Sequence, residues 1–216
     1  MVQANTFGAA IVGSVPDLPK YQRWKSSYFK IISCFPKVLY VRGKKQTEKN
    51  TKLVMAALLA AMTCVATMVI KIPIAATGGY INLGDCIVLL SGILLGPLYG
   101  GLAAGIGSAL ADLFSGYVAF LPATFLIKGF MAVIMGLFVK DLSKNSTIKA
   151  AITGAIAECL MIAGYFFFEA VVMGFGLGAA ASIPGNAIQG VVGLILAMLL
   201  VPVFRTCNFP SLRKEP

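Results

Sequence analysis

Six apolar stretches follow one another from Leu53 onward, at about 53–70, 81–95, 98–117, 120–139, 148–172 and 184–204. Crossing the hydrocarbon core of a bilayer takes about 20 apolar residues as a helix, within a range of about 17–25. Stretches of this length, so closely spaced, leave too little polar sequence to coat a soluble domain. Only 12% of the 216 residues are charged and 58% are hydrophobic, whereas a soluble domain carries roughly 25% charged residues. The expected fold class is therefore an all-α integral membrane protein of six transmembrane helices. The second stretch is short, and Gly96-Pro97-Leu98-Tyr99-Gly100-Gly101 turns it directly into the third, so this pair reads as a tight helical hairpin.

Charge sets the expected orientation. Residues 1–52 hold ten Lys/Arg against Asp17 and Glu48, while the remaining residues carry eight basic and six acidic groups. A basic segment beside a membrane helix marks the cytoplasmic side. With both termini inside, sixteen of the eighteen basic residues fall on that side; Lys71 lies on an outer loop and Lys128 within a span. The chain accordingly divides into a basic cytoplasmic tail of poor order (1–52), a transmembrane domain (53–205) and a short cytoplasmic C-terminal tail (206–216). An over-long start, with true initiation nearer residue 40, is a second reading of the first segment.

Absences narrow the chemistry. The chain has no histidine, which removes Ser-His-Asp and Cys-His catalysis and HExxH zinc sites. No GxxxxGK[ST] loop is present for nucleotide hydrolysis, and the five cysteines form no CxxC pair. No enzyme, metal site or cofactor is expected.

Ionisable groups inside a membrane are costly and call for a reason. Five lie within the spans: Asp85, Asp112, Lys128, Glu158 and Glu169. Their neighbours follow helical spacing: Asn82 with Asp85, Ser108 with Asp112 and Ser115, Thr124 with Lys128, and Asn186 with Gln189. At about 100° per residue, Glu158, Tyr165 and Glu169 form one stripe on the fifth span. All but Glu158 fall in the outer half, which implies a shared cavity opening outward to a small polar ligand. The structural alternatives are an ion pair of Asp85 or Asp112 with Lys128, snorkelling of Glu169, and Asn186 and Gln189 as interhelical hydrogen-bond glue. The loop 71–82, with Pro73 stopping the helix and Gly78-Gly79 allowing a sharp turn, is expected to fold over the cavity as a lid. A small-residue face on the first span (Ala56, Ala60, Thr63 and Thr67, beside Ala57 and Ala61) permits close approach of another helix, internal or external.

The string Ile72 to Asp85 (IPIAATGGYINLGD), with Leu95-Gly-Pro-Leu-Tyr-Gly-Gly101, Gly107-Ser-Ala-Leu-Ala-Asp112, Gly116-Tyr117 and Ile127-Lys-Gly129, resembles the S components of energy-coupling factor (ECF) transporters. The nearest branch is the riboflavin-type one, which includes hydroxymethylpyrimidine and pyridoxine transporters. The resemblance covers about residues 50–205. It implies a six-helix protein that binds a vitamin near the outer face and associates with a transmembrane T component and two cytoplasmic ATPases. It also implies substrate binding by Tyr80, Asn82, Asp85, Lys128, Glu158, Tyr165, Glu169, Asn186 and Gln189, and partner binding by Ala56/Ala60 or Ala57/Ala61. Pyridoxine or hydroxymethylpyrimidine is the first expected ligand, riboflavin the second. The competing class is an autonomous ion- or proton-coupled carrier, whose marker of inverted repeats is not found between 53–117 and 120–204.

Overall fold

The computed structural model describes residues 49–74, 77–139 and 146–206. Nearly all of the two expected cytoplasmic tails lies outside them. The first helix, α1 (Lys49–Val69), carries the opening apolar run. It buries Ala56, Leu59, Thr63, Cys64 and Thr67 at three- and four-residue steps, and exposes Leu58, Met62, Val65 and Val69. The Thr63 hydroxyl donates to the Leu59 carbonyl at 2.8 Å, so this buried polar group is satisfied within its own helix.

The segment after α1, expected as a loop folding over the cavity, is a β-hairpin. Strand β1 (Lys71–Ile74) pairs antiparallel with β2 (Gly79–Asn82), placing Lys71 opposite Asn82 and Pro73 opposite Tyr80. Gly78 takes a φ of 70° in the turn, a conformation that a side chain would strain. Asn82 therefore belongs to a strand, not to the helix on which its spacing from Asp85 had placed it. Lys71 Nζ donates to Ser115 Oγ at 2.8 Å and ties the hairpin to the far end of the next element.

That element, α2 (Asp85–Ser115), merges the second and third apolar stretches, so five candidate spans are described where six were expected. Its 31 residues are divided at Gly96 (φ 78°, ψ −175°), and Pro97 follows with no N–H to continue the ladder. The chain turns back there: a Cβ on Gly100 would meet the main chain of Ser91 and Gly92. The tight turn expected at 96–101 is thus present as a break within one long element. Glycines also seat α3 (Leu121–Phe138), since Gly92 faces the Ala132 carbonyl and Gly136 faces Gly96 and Pro97.

Helix α4 (Ser146–Phe167) runs into a π-helical turn, Phe168–Val172, and a 3-10 segment, Gly176–Ser182, leads into α5 (Ile183–Thr206). The most apolar stretch of α2 is 78% buried, against 22–39% for the other four spans. Helices α1, α3, α4 and α5 expose Leu, Ile, Val and Phe around it. This is a multi-pass membrane architecture with its polar residues turned inward.

Candidate ligand-binding site

Between the β-hairpin and the helices lies an open, polar-lined cavity, the concave setting in which small-molecule sites are built. Each wall comes from a different element. Helix α1 supplies Thr67; the hairpin supplies Ile74, Gly79, Tyr80 and Asn82; α2 supplies Ser108 and Asp112. The opposite side is built from Phe120, then Thr124 and Lys128 on α3, Tyr165 on α4, Glu169 in the π turn, and Asn186 and Gln189 on α5. The three- and four-residue spacings explain why these pairs share a face.

A buried hydrogen-bond chain organises the floor. Lys128 forms an ion pair with Asp85, whose side chains are 2% and 0% exposed. Gln189 Nε2 donates to the other Asp85 oxygen at 2.7 Å, and Gln189 Oε1 accepts the Asn82 main-chain N–H at 2.8 Å. Asn82 Oδ1 in turn accepts the Gly84 N–H at 2.8 Å. One glutamine thus joins α2, α5 and the hairpin. Tyr165 OH donates to Thr124 Oγ1 at 3.1 Å, and its ring centroid lies 5.5 Å from Lys128 Nζ, a cation–π distance.

The hairpin is held down on the other side. Tyr80 OH donates to Asp112 Oδ1 at 2.5 Å, and the Tyr80 ring packs on Tyr117 with centroids 4.4 Å apart. Burial, and then the bond to Asp112, pushes the Tyr80 phenol above its ordinary range, so it remains a donor. Gly79 passes so close to Glu169 that a Cβ there would stand 3.3 Å from Oε1. The Thr77 and Ser182 hydroxyls neighbour the same carboxyl. Phe120 and Phe168 rings, 5.6 Å apart, form an apolar edge.

Of the residues expected to bind ligand, the cavity wall contains Tyr80, Asn82, Lys128, Tyr165, Glu169, Asn186 and Gln189. Asp85 lies behind the wall as the partner of Lys128 and Gln189. Glu158 is also set back: it is buried against Gly190, with Asp85 and Lys128 as charged neighbours. Neither of its carboxyl oxygens has a hydrogen-bond partner among the described residues. Asp112, Ser108 and Thr124 line the cavity although the expected binding set omitted them. Their helical spacing with Ser115 and Lys128 was the signal for them. Ile74, Gly79 and Phe120 carry no polar mark, and Thr67 belongs to the small-residue stripe of α1.

The four alanines separate by face. Ala56 is buried and the Ala60 carbonyl abuts Gly107 of α2, whereas Ala57 and Ala61 are exposed. Ala56 and Ala60 thus lie on the side of α1 that faces the rest of the chain.

Residues 48–206 match the family described as ECF-type riboflavin transporter, S component. A protein of Pyrococcus woesei, described as an uncharacterized protein in the gap 3′ region, is 41% identical over 133 residues, covering 61% of this chain and 86% of that one. A solved structure described as the S component of a bacterial ECF transporter superposes with a TM-score of 0.58 at 26% identity, covering 74% of this chain and 98% of the other. An intramembrane polar cavity under a hairpin and the match over most of the chain agree: the protein belongs to the riboflavin-type family of ECF transporter S components.

Proposed function

We propose that this chain captures a small heterocyclic vitamin or vitamin precursor from outside the cell, and that a T component with two ATPases drives its delivery inward. The observation that carries this reading is the cavity itself, walled by Tyr80, Phe120 and Tyr165 for a flat ring and by amide and carboxyl side chains for its substituents. Pyridoxine or hydroxymethylpyrimidine is placed ahead of riboflavin, the ligand in the family's description, because a single ring leaves fewer hydroxyl groups to satisfy. The basic segments before α1 and between α3 and α4 put both termini in the cytoplasm and the hairpin outside. The hairpin then acts as the lid, released when Tyr80, Gly79 and Asn82 leave Asp112, Glu169 and Gln189.

Native mass spectrometry of the purified chain is expected to show a stoichiometric small molecule whose extracted mass names the vitamin. An empty protein that gains no thermal stability from a vitamin panel would overturn this reading and favour an autonomous carrier.

The exposed Ala57/Ala61 face of α1, between Leu58, Met62 and Val65, is the proposed docking surface for the T component. Ala61→Trp is expected to abolish co-purification with the T component and uptake in cells while leaving vitamin affinity unchanged. Normal assembly in that variant would place the docking surface elsewhere.

A further inference from the structure

Most polar atoms around the cavity are already committed. The Lys128 ammonium is taken by Asp85, the Gln189 amide by Asp85 and the Asn82 main chain, and the Tyr80 hydroxyl by Asp112 Oδ1. Three are not. Asp112 Oδ2, Glu169 Oε2 and Ser108 Oγ lack a hydrogen-bond partner among the described residues, although these side chains line the cavity and are at most 2% exposed.

A buried carboxyl oxygen without a donor is costly, and a ligand that brings the donor removes that cost. The two carboxyls come from different walls: Asp112 sits on α2, four residues beyond Ser108, and Glu169 sits in the π turn against Gly79 of the hairpin. A ligand between them meets one unpartnered carboxyl oxygen from α2 and another from the π turn. An anionic group would meet net repulsion from these two carboxyls, because the lysine in the wall is neutralised by Asp85.

We propose that Asp112 and Glu169 are the specificity-determining pair of this cavity, each accepting a hydrogen bond from a hydroxyl, amino or ring N–H group of a ligand that carries no phosphate or carboxylate. The assignment rests on the reading of the cavity as a vitamin site, and it deepens that reading by fixing the chemical class. Phosphate esters of the same vitamins are excluded by the charge of the wall, not by its size.

The test uses the full chain in lipid nanodiscs, titrated calorimetrically with pyridoxine, hydroxymethylpyrimidine, riboflavin and the phosphate ester of each. One free vitamin is expected to bind, with its ester weaker by about 100-fold or more, the scale of a lost charge-assisted bond plus repulsion. Asp112→Asn and Glu169→Gln should each weaken the free vitamin by about tenfold or more and narrow the gap to the ester. An ester that binds within about threefold of its vitamin, less than one hydrogen bond is worth, overturns the assignment but leaves the transporter reading standing. So does unchanged affinity in both variants. Where an amide variant fails to accumulate, the comparison of vitamin with ester on the unaltered chain decides. A chain that binds no vitamin and carries none after purification overturns both.

Discussion

Lys128→Met is expected to cost the folded protein about 3–5 kcal/mol, the penalty for leaving one partner of a buried ion pair uncompensated. The exposures of 2% for Lys128 and 0% for Asp85 exclude rescue by water. Gln189, a neutral donor at 2.7 Å, then faces the Asp85 charge with the buried Glu158 carboxyl as a neighbour. Adding Asp85→Asn to the same molecule should recover much of the loss, because the double variant removes both charges together. A double-mutant cycle read by chemical unfolding in detergent gives the coupling directly. A single-variant cost below about 1 kcal/mol, the scale of an exposed pair, would mean that the charge is solvated after all.

Gly92→Ala carries the second large effect, and its sign is the informative part. Within a helix, Gly→Ala ordinarily stabilises by about 0.8–1 kcal/mol. At Gly92 the added methyl would overlap the Ala132 carbonyl oxygen and lie 2.7 Å from Met135 Cβ, so α2 and α3 must separate. Overpacking of this kind costs about 1–3 kcal/mol. Gly178→Ala is the control, because nothing stands within 4 Å of a Cβ there. Thermal unfolding should show a lower midpoint for the first variant and none of that loss for the second. Equal midpoints would mean that the helices do not touch at Gly92.

The membrane-spanning segments and the turn at Gly96-Pro97 were legible because each is a property of contiguous residues: apolar length, or a residue that cannot continue a helix. Cavity residues on one helix, such as Thr124 with Lys128, were legible for the same reason. What was not legible depends on partners distant in the chain. Asp85 and Asp112 looked equivalent as partners for Lys128, and only the packing of α2 on α3 gives the lysine to Asp85 and Asp112 to Tyr80. The β-hairpin was missed because each strand is only four residues long and one carries Pro73, a residue that argues against a strand, while the other signals there mark only a helix stop and a turn. The π turn at Phe168–Val172 has no residue signature, yet Glu169 within it lines the cavity together with Tyr165, while Glu158 of the same stripe is set back. The Ala56/Ala60 and Ala57/Ala61 faces differ by one residue step, and hydropathy cannot say which of them turns inward.

The enclosure of α2 has a consequence for how this protein meets different membranes. Its first half, 85–96, is too short to cross the hydrocarbon and is buried at every residue, whereas its second half turns Leu98, Leu102, Ile106 and Phe114 outward. A thicker or thinner bilayer acts through the segments that lipid touches, by tilting them or by dragging their interfacial residues. Here those are α1, the second half of α2, α3, α4 and α5. The first half of α2, which holds Asp85, is insulated from that strain by the elements around it. Lipid composition therefore acts on the outer shell of the site before it reaches the Asp85 carboxyl.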